Sequence, residues 1–161
     1  MEVPAKAYFD EGCLYYINDF EFDDGGGKEK RNKYVLVLAK DDSSIIFCLT
    51  TTTDVDSLAA EYKLHGCKFH KINKRFQFYY FPPTVEIGSE KFKFDLETII
   101  SFQNNIRKKA PADLDKYVSK KGCGFTTKLS KDELKPILGC ILSSYHCPIG
   151  CEGLLNNRFI N

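Results

Sequence analysis

Four consecutive threonines close the run "IIFCLTTTTD", Ile45 to Asp54. A β-branched threonine suits a strand, and its hydroxyl suits a strand end, a helix start or a bound ligand. A row of hydroxyls is therefore the first chemistry on offer. Nitrogen and sulfur donors are the second. "HGCKFH" groups His65, Cys67 and His70, and "CILSSYHCPIGC" groups Cys140, His146, Cys147 and Cys151. Zinc takes four such donors, often as C-x2-4-C with H-x3-5-H. Cys147 and Cys151 meet that spacing, as do His65 and His70. The two groups lie far apart in the chain, however, and cysteines that pack as small buried hydrophobes are the simpler reading. A nucleophile pair of Cys67 with His65 or His70 lacks a marked third group to orient it. The third chemistry is aromatic. "KRFQFYYFPP" sets Phe and Tyr beside basic residues. An exposed set of Phe76, Phe78 and Tyr80 would form a stacking platform for single-stranded bases or for a partner subunit. Alternate aromatics filling a small core is the competing reading.

Charge narrows the partners. The net charge of +1 hides an uneven distribution: Glu2 to Asp24 carries seven acidic residues against one lysine, and Arg107 to Lys131 carries eight basic residues against two acidic. Lys68 to Arg75 is a further basic stretch. Such asymmetry suits a polyanion or a protein that matches one face; the alternative is a solvated surface.

These residues need elements to hold them. "GCLYYIN" reads as a first strand, followed by the polar, Gly-rich connection "DFEFDDGGGKEKRNK", a candidate mobile functional loop. "KYVLVLAK" reads as a strand buried on both faces, "DDSS" as a turn and "IIFCLTTT" as the returning strand of a hairpin. "TDVDSLAAEYKLHG" predicts a short helix that stops at Gly66. "RFQFYYFPP" is a strand ended by prolines, and "TVEIGSEKFKF" a hairpin that turns near Gly88. Ala112 to Val118 is weakly helical. In "LSKDELKPILGCILSSYH", Ser130 and Glu133 have capping-box spacing. Leu134, Ile137, Leu138, Ile141 and Leu142 make one apolar helix face, and Pro136 is awkward within it. The expected class is mainly β with helices (α+β): short antiparallel strands closing into a small barrel, with an amphipathic helix over about 130–146.

A chain of 161 residues with 43% apolar content fits one globular domain over 1–161. No apolar run nears the roughly 20 residues that span a bilayer, and the N-terminus lacks the pattern of a signal peptide. With seven cysteines and no secretory signal, reduced thiols in the cytoplasm are the expectation.

The order of these pieces carries a family resemblance. Gly12 opens an aromatic strand, a Gly-rich loop follows, Lys33 precedes "YVLVL", the next strand ends in "CLTTT", and an "LSKDEL" helix comes near the end. This resembles the MazF/PemK endoribonuclease toxins, whose fold is an SH3-like barrel with a C-terminal helix, usually dimeric. Carried over by position, Gly12 matches the family glycine and Asp19-Phe20 falls near its acidic-aromatic pair. Lys33 and Tyr34 stand where the family has Arg-Pro, and Thr50 and Thr51 fall on its Thr-Thr pair. The Arg-Pro motif is thus absent, and a lysine lacks the planar two-pronged donor of a guanidinium.

The resemblance implies a toxin of a toxin-antitoxin system: a homodimeric, metal-independent endoribonuclease on single-stranded RNA, with no cofactor and an acidic antitoxin as partner. Lys33 would stabilise the charged phosphorane, Thr51 or Thr50 would orient the phosphate, and Arg31 or Glu21 would assist. Lys28, Lys30, Arg75, Arg107 and Lys108 are the candidate RNA-contacting cations. The alternatives are an inactive nucleic-acid- or protein-binding module on the same barrel, and a zinc-stapled interaction protein.

Overall fold

The structure, a computed structural model, describes residues 8–21, 30–52, 55, 58–69, 76–118 and 123–161. Strand β1 (Cys13–Glu21) pairs antiparallel with β2 (Lys30–Lys40), and β2 pairs with β3 (Ile45–Leu49) in the expected hairpin. The Asp41 carboxylate closes that turn by accepting from the Ser43 and Ser44 amides at 2.9 and 2.8 Å, the local bonding that aspartate offers a turn.

Four of the strands were not read from the sequence, two of them in this sheet. β7 (Ile106–Lys109) and β8 (Cys123–Lys128) complete a five-stranded sheet in the order β7-β3-β2-β1-β8. A second sheet, β4-β5-β6, is built from Gly66–Phe69, Gln77–Phe81 and Thr98–Ser101. The chain is α+β as expected. Among the described residues its strands form two sheets and do not close into one barrel. β3 ends at Leu49, and past it a single antiparallel bridge, Thr51 with Ile99, joins one sheet to the other.

Burial follows from this layering. Val35 to Ala39 are all buried because β2 is a central strand covered on both faces. Val35 and Val37 pack with Tyr15, Ile17, Phe47, Leu114 and Tyr117, while Leu36 and Leu38 pack with Phe102, Ile137 and Ile141. Leu114 and Tyr117 come from a 3-10 turn (Pro111–Leu114) that runs into the short helix α1 (Asp115–Val118), close to the expected span. Helix α2 (Lys131–Leu142) carries the expected capping box: Ser130 Oγ accepts from the Glu133 amide at 3.2 Å and Glu133 Oε1 from the Ser130 amide at 2.9 Å. It ends at Leu142, short of His146. A helix unread from the sequence, α3 (Glu152–Ile160), packs back on it. Gly139 permits that approach, since a Cβ there would lie 3.1 Å from the Phe159 ring.

Four expectations are corrected. The short helix expected within 53–66, capped by Thr53 or Asp54 and stopped at Gly66, is a 3-10 turn at Ala60–Tyr62, with Ala59 extended before it and no side chain capping it; Thr53, Asp54, Asp56 and Ser57 lie outside the described residues. The hairpin near Gly88 reduces to one bridge, Ile87 with Phe92. The aromatic strand offers no platform through Phe78 and Tyr80, which are buried. Core lies on both sides of β5: Tyr79 and Phe81 pack with α2, and Phe78 and Tyr80 with Val55, Tyr62 and Ile99. Finally, the cysteines are not all reduced. Cys67 of β4 and Cys140 of α2, 73 residues apart, form a disulfide because α2 packs on the second sheet. No helix of the described residues is long and apolar enough to cross a membrane.

Candidate functional site

A cleft of about 310 Å³ opens where the two sheets meet, lined from β2 by Asn32, Lys33 and Tyr34 and from the end of β3 by Thr50, Thr51 and Thr52. Tyr16 of β1 and the segment Phe94 to Leu96, with Thr98, complete it. Local structure explains why β2 turns these residues to the cleft. Lys33 pairs with Ile17, after which β1 bulges before Phe20 pairs with Arg31. Asp19 sits in the bulge at φ 55°, and its amide donates to Asn32 Oδ1 at 3.1 Å. Aspartate tolerates this left-handed conformation better than most residues.

The threonines divide the work. Thr50 is buried, and its amide donates to the Tyr34 carbonyl at 3.2 Å, with its hydroxyl over the same oxygen at 3.4 Å. Its role is to hold strand to strand. The Thr51 amide donates to the Ile99 carbonyl at 2.8 Å and the Ile99 amide to the Thr51 carbonyl at 2.9 Å. That leaves the Thr51 side chain on the half-buried cleft wall, with exposed Thr52 beside it. The opening run of hydroxyls is thus part strand joint and part cleft surface.

Lys33 is half-buried, and its Nζ donates to the Thr50 carbonyl at 3.0 Å. Burial first, and then the neighbouring positive charge of Arg31, hold its ammonium below the ordinary lysine range. Tyr34 moves the other way: burial, then Tyr16, then the carboxylate of Asp95 raise its phenol. Tyr16 and Tyr34 lie with ring centroids 4.8 Å apart, and Tyr34 also meets Phe94 edge-on at 5.3 Å. Tyr16 stays 36% exposed.

The structure gathers Lys33, Thr50 and Thr51 as expected and leaves other expected residues elsewhere. Arg31 does not line the cleft, although its charge reaches Lys33. Glu21 accepts from Lys116 Nζ at 2.5 Å and lies 3.9 Å from Lys30 Nζ, so Glu21 and Lys30 belong to a surface ion cluster with α1. Arg107 Nε donates to the Asn104 carbonyl and Lys108 Nζ to the Gly150 carbonyl, both at 3.2 Å. Both cations stand on β7, which β3 separates from β2. Lys28 and Arg75 lie outside the described residues, as does His70. Among the described residues no group of three or more His, Cys, Asp or Glu side chains is placed to hold a metal ion. Cys67 and Cys140, one from each candidate metal group, are joined to each other.

Sequence reasoning missed Tyr16, Asn32, Asp95 and Leu96. One local signal existed: "KFKF" alternates as read, with Phe94 buried and Lys93 exposed, which delivers Asp95 and Leu96 to the surface beside the cleft. A comparison with protein-family models and with curated proteins finds no match.

Proposed function

We propose that this cleft binds single-stranded RNA and that the protein acts there as an endoribonuclease of the MazF/PemK kind, with an acidic antitoxin as its protein partner. The observation that carries the reading is the meeting of Lys33, Thr51 and Thr52 with the exposed ring of Tyr16 in one open cleft. A cation and hydroxyls suit a phosphate, and an exposed aromatic ring suits an unstacked base. In the cleavage step a 2′-hydroxyl attacks the adjacent phosphorus as the bond to the 5′-oxygen breaks. The products are a cyclic phosphate and a 5′-hydroxyl, and the 2′ proton is lost as the 5′-oxygen gains one. Lys33 would face the charge that builds on the phosphorane, and its lowered proton affinity suits donation to the departing 5′-oxygen. The Thr51 hydroxyl would orient the phosphate.

A second reading, RNA binding without cleavage, is favoured by the position of Glu21, which is ion-paired to Lys116 outside the cleft and so is not placed to take the 2′ proton. One experiment separates the two. Purified protein is incubated with a mixed single-stranded RNA pool with and without EDTA, and binding and fragment ends are read in parallel. Cleavage that survives EDTA, leaves cyclic phosphates and is lost in Lys33→Ala supports the nuclease. Binding lost in Lys33→Ala without any cleavage supports the binder. Absence of both removes RNA from the cleft.

A further inference from the structure

Asp95 is an odd residue to find in a groove for a polyanion. It is exposed on the cleft wall, close enough to Tyr34 for its charge to raise the phenol. Among the described residues it takes part in no hydrogen bond or ion pair, so its oxygens face solvent and are open to a bound donor. A carboxylate repels phosphates but can accept from the N–H donors that a bound base supplies.

Resting on the RNA reading above, we propose that the cleft selects guanine, with the Asp95 carboxylate accepting from guanine N1–H and N2–H while Lys33 faces the nucleotide's phosphate. Of the four RNA bases only guanine sets two donors side by side on its Watson–Crick edge, matching two carboxylate oxygens. Adenine and cytosine each place an acceptor beside a single amino donor, so the second carboxylate oxygen would meet a lone pair. Uracil flanks its one N–H with two carbonyls. The rest of the cleft suits a flipped-out purine. Tyr16 and the side chain of Leu96, which is 64% exposed, offer apolar surface for a base face. A volume of about 310 Å³ is at the small end of ligand pockets, the scale of a single nucleotide unit and far below that of a folded RNA.

The test uses the full chain and short oligouridylates that carry one central guanosine, inosine, adenosine or cytidine. Affinities are read by fluorescence anisotropy at fixed salt. The guanosine oligomer is expected to bind about tenfold tighter than the adenosine or cytidine oligomers, the discrimination that a two-point base contact gives. Inosine, which lacks the 2-amino group, should lose most of that advantage. Asp95→Asn should lower affinity for the guanosine oligomer and raise it for the others, because the repulsion disappears along with the contact. Opposite signs in one variant separate base reading from a general loss of fold, and the inosine comparison needs no variant at all. RNA binding that weakens in Lys33→Met but shows no guanine preference would overturn this inference and leave the RNA reading standing. A preference retained in Asp95→Asn would also overturn it. No binding to any oligomer would remove both, and free GMP competing as well as the oligomer would make the ligand a mononucleotide and not RNA.

Discussion

The cleft of about 310 Å³ beside Lys33 and a smaller one of about 190 Å³ beside His65 each set a titratable group against aromatic rings. In the smaller cleft, His65 lies 5.6 Å from both the Tyr79 and Phe81 rings, and Glu133 sits at the start of α2. Both Glu133 oxygens are used by the fold: Oε1 accepts from the Ser130 amide and Oε2 from the Gly88 amide, each at 2.9 Å. Burial pushes His65 below its ordinary value, only partly opposed by Glu133, which favours the uncharged imidazole; the ring meets Tyr79 edge-on and lies tilted against Phe81. Of the two carboxylates lining that cleft, Glu133 is a structural rivet and Asp132 is exposed to solvent. In the larger cleft the buried Thr50 is likewise a joint, but Asp95 has no such use and Tyr16 stays exposed. The difference lies in the carboxylate that faces the aromatic rings: two backbone amides hold Glu133, whereas no hydrogen bond or ion pair among the described residues holds Asp95.

That contrast predicts where damage shows. The largest effect belongs to the Cys67–Cys140 disulfide, which ties β4 to α2 behind the His65 cleft. Closing so long a loop restrains the unfolded chain by about 4 kcal/mol. Reduction should therefore lower the unfolding midpoint by more than ten degrees, on the size scaling for such a domain. Calorimetry with and without reductant, repeated on Cys140→Ala, checks it. An unchanged midpoint would mean that packing alone holds α2.

Next comes Gly88, at φ 76° in the turn that feeds Glu133 its second hydrogen bond. A Cβ there would lie 2.1 Å from Thr127 Oγ1. That hydroxyl is already engaged with the Glu90 amide and the Ile87 carbonyl. Gly88→Ala combines left-handed strain with overpacking and should cost about 3 kcal/mol in urea unfolding. RNA affinity of the folded fraction should stay within twofold, because Gly88 is not part of the Lys33 cleft.

Glu133 ranks third. Burial alone would raise its carboxyl, but the Ser130 and Gly88 amides outweigh it and hold the group below the ordinary glutamate value. A depressed carboxylate contributes stability that is complete above its unfolded pKa and is lost as pH falls through the lower folded one. Glu133→Ala should cost about 1–2 kcal/mol near neutral pH and progressively less in acid below about pH 4. Unfolding curves at the two pH values test this, and an equal loss at both would place the effect in the apolar contacts of the side chain instead.

The same physics explains what could be read from the chain. β1, β2, β3 and the capped start of α2 were legible because their signals are local: an aromatic strand opened by glycine, an uninterrupted apolar run, an aspartate turn and a Ser-x-x-Glu cap. β7 ("IRKK") and β8 ("CGFTTK") carry no apolar alternation and are strands only because Ile45 to Cys48 and Cys13 to Ile17 supply their partners. The disulfide and the double burial of β5 are likewise products of tertiary packing, invisible to spacing. The site was half legible for a similar reason. Lys33 and Thr51 flank readable strands and Tyr16 lies opposite Tyr34 in the readable β1–β2 pair, whereas Asp95 joins them only through the segment that leads into β6 of the second sheet.

Lys33 should give the smallest change in stability and the clearest change in binding. Its folded pKa is lowered, so the charged ammonium is disfavoured in the native state at every pH below that value. By linkage this is a stability deficit at neutral pH that is relieved only as pH rises through the folded pKa. The hydrogen bond to the Thr50 carbonyl at 3.0 Å offsets part of it. Lys33→Met keeps the length of the stem, removes the half-buried charge and leaves the Thr50 carbonyl without that donor. The two terms nearly cancel, and the unfolding free energy should shift by less than about 1 kcal/mol in either direction. RNA affinity should fall about tenfold, with a shallower dependence on salt, because one phosphate contact is lost. Equilibrium unfolding and a salt titration of RNA binding on the same preparation test both halves. A large loss of stability with unchanged RNA affinity would make Lys33 another rivet, like Glu133, and would erase the distinction between the two clefts.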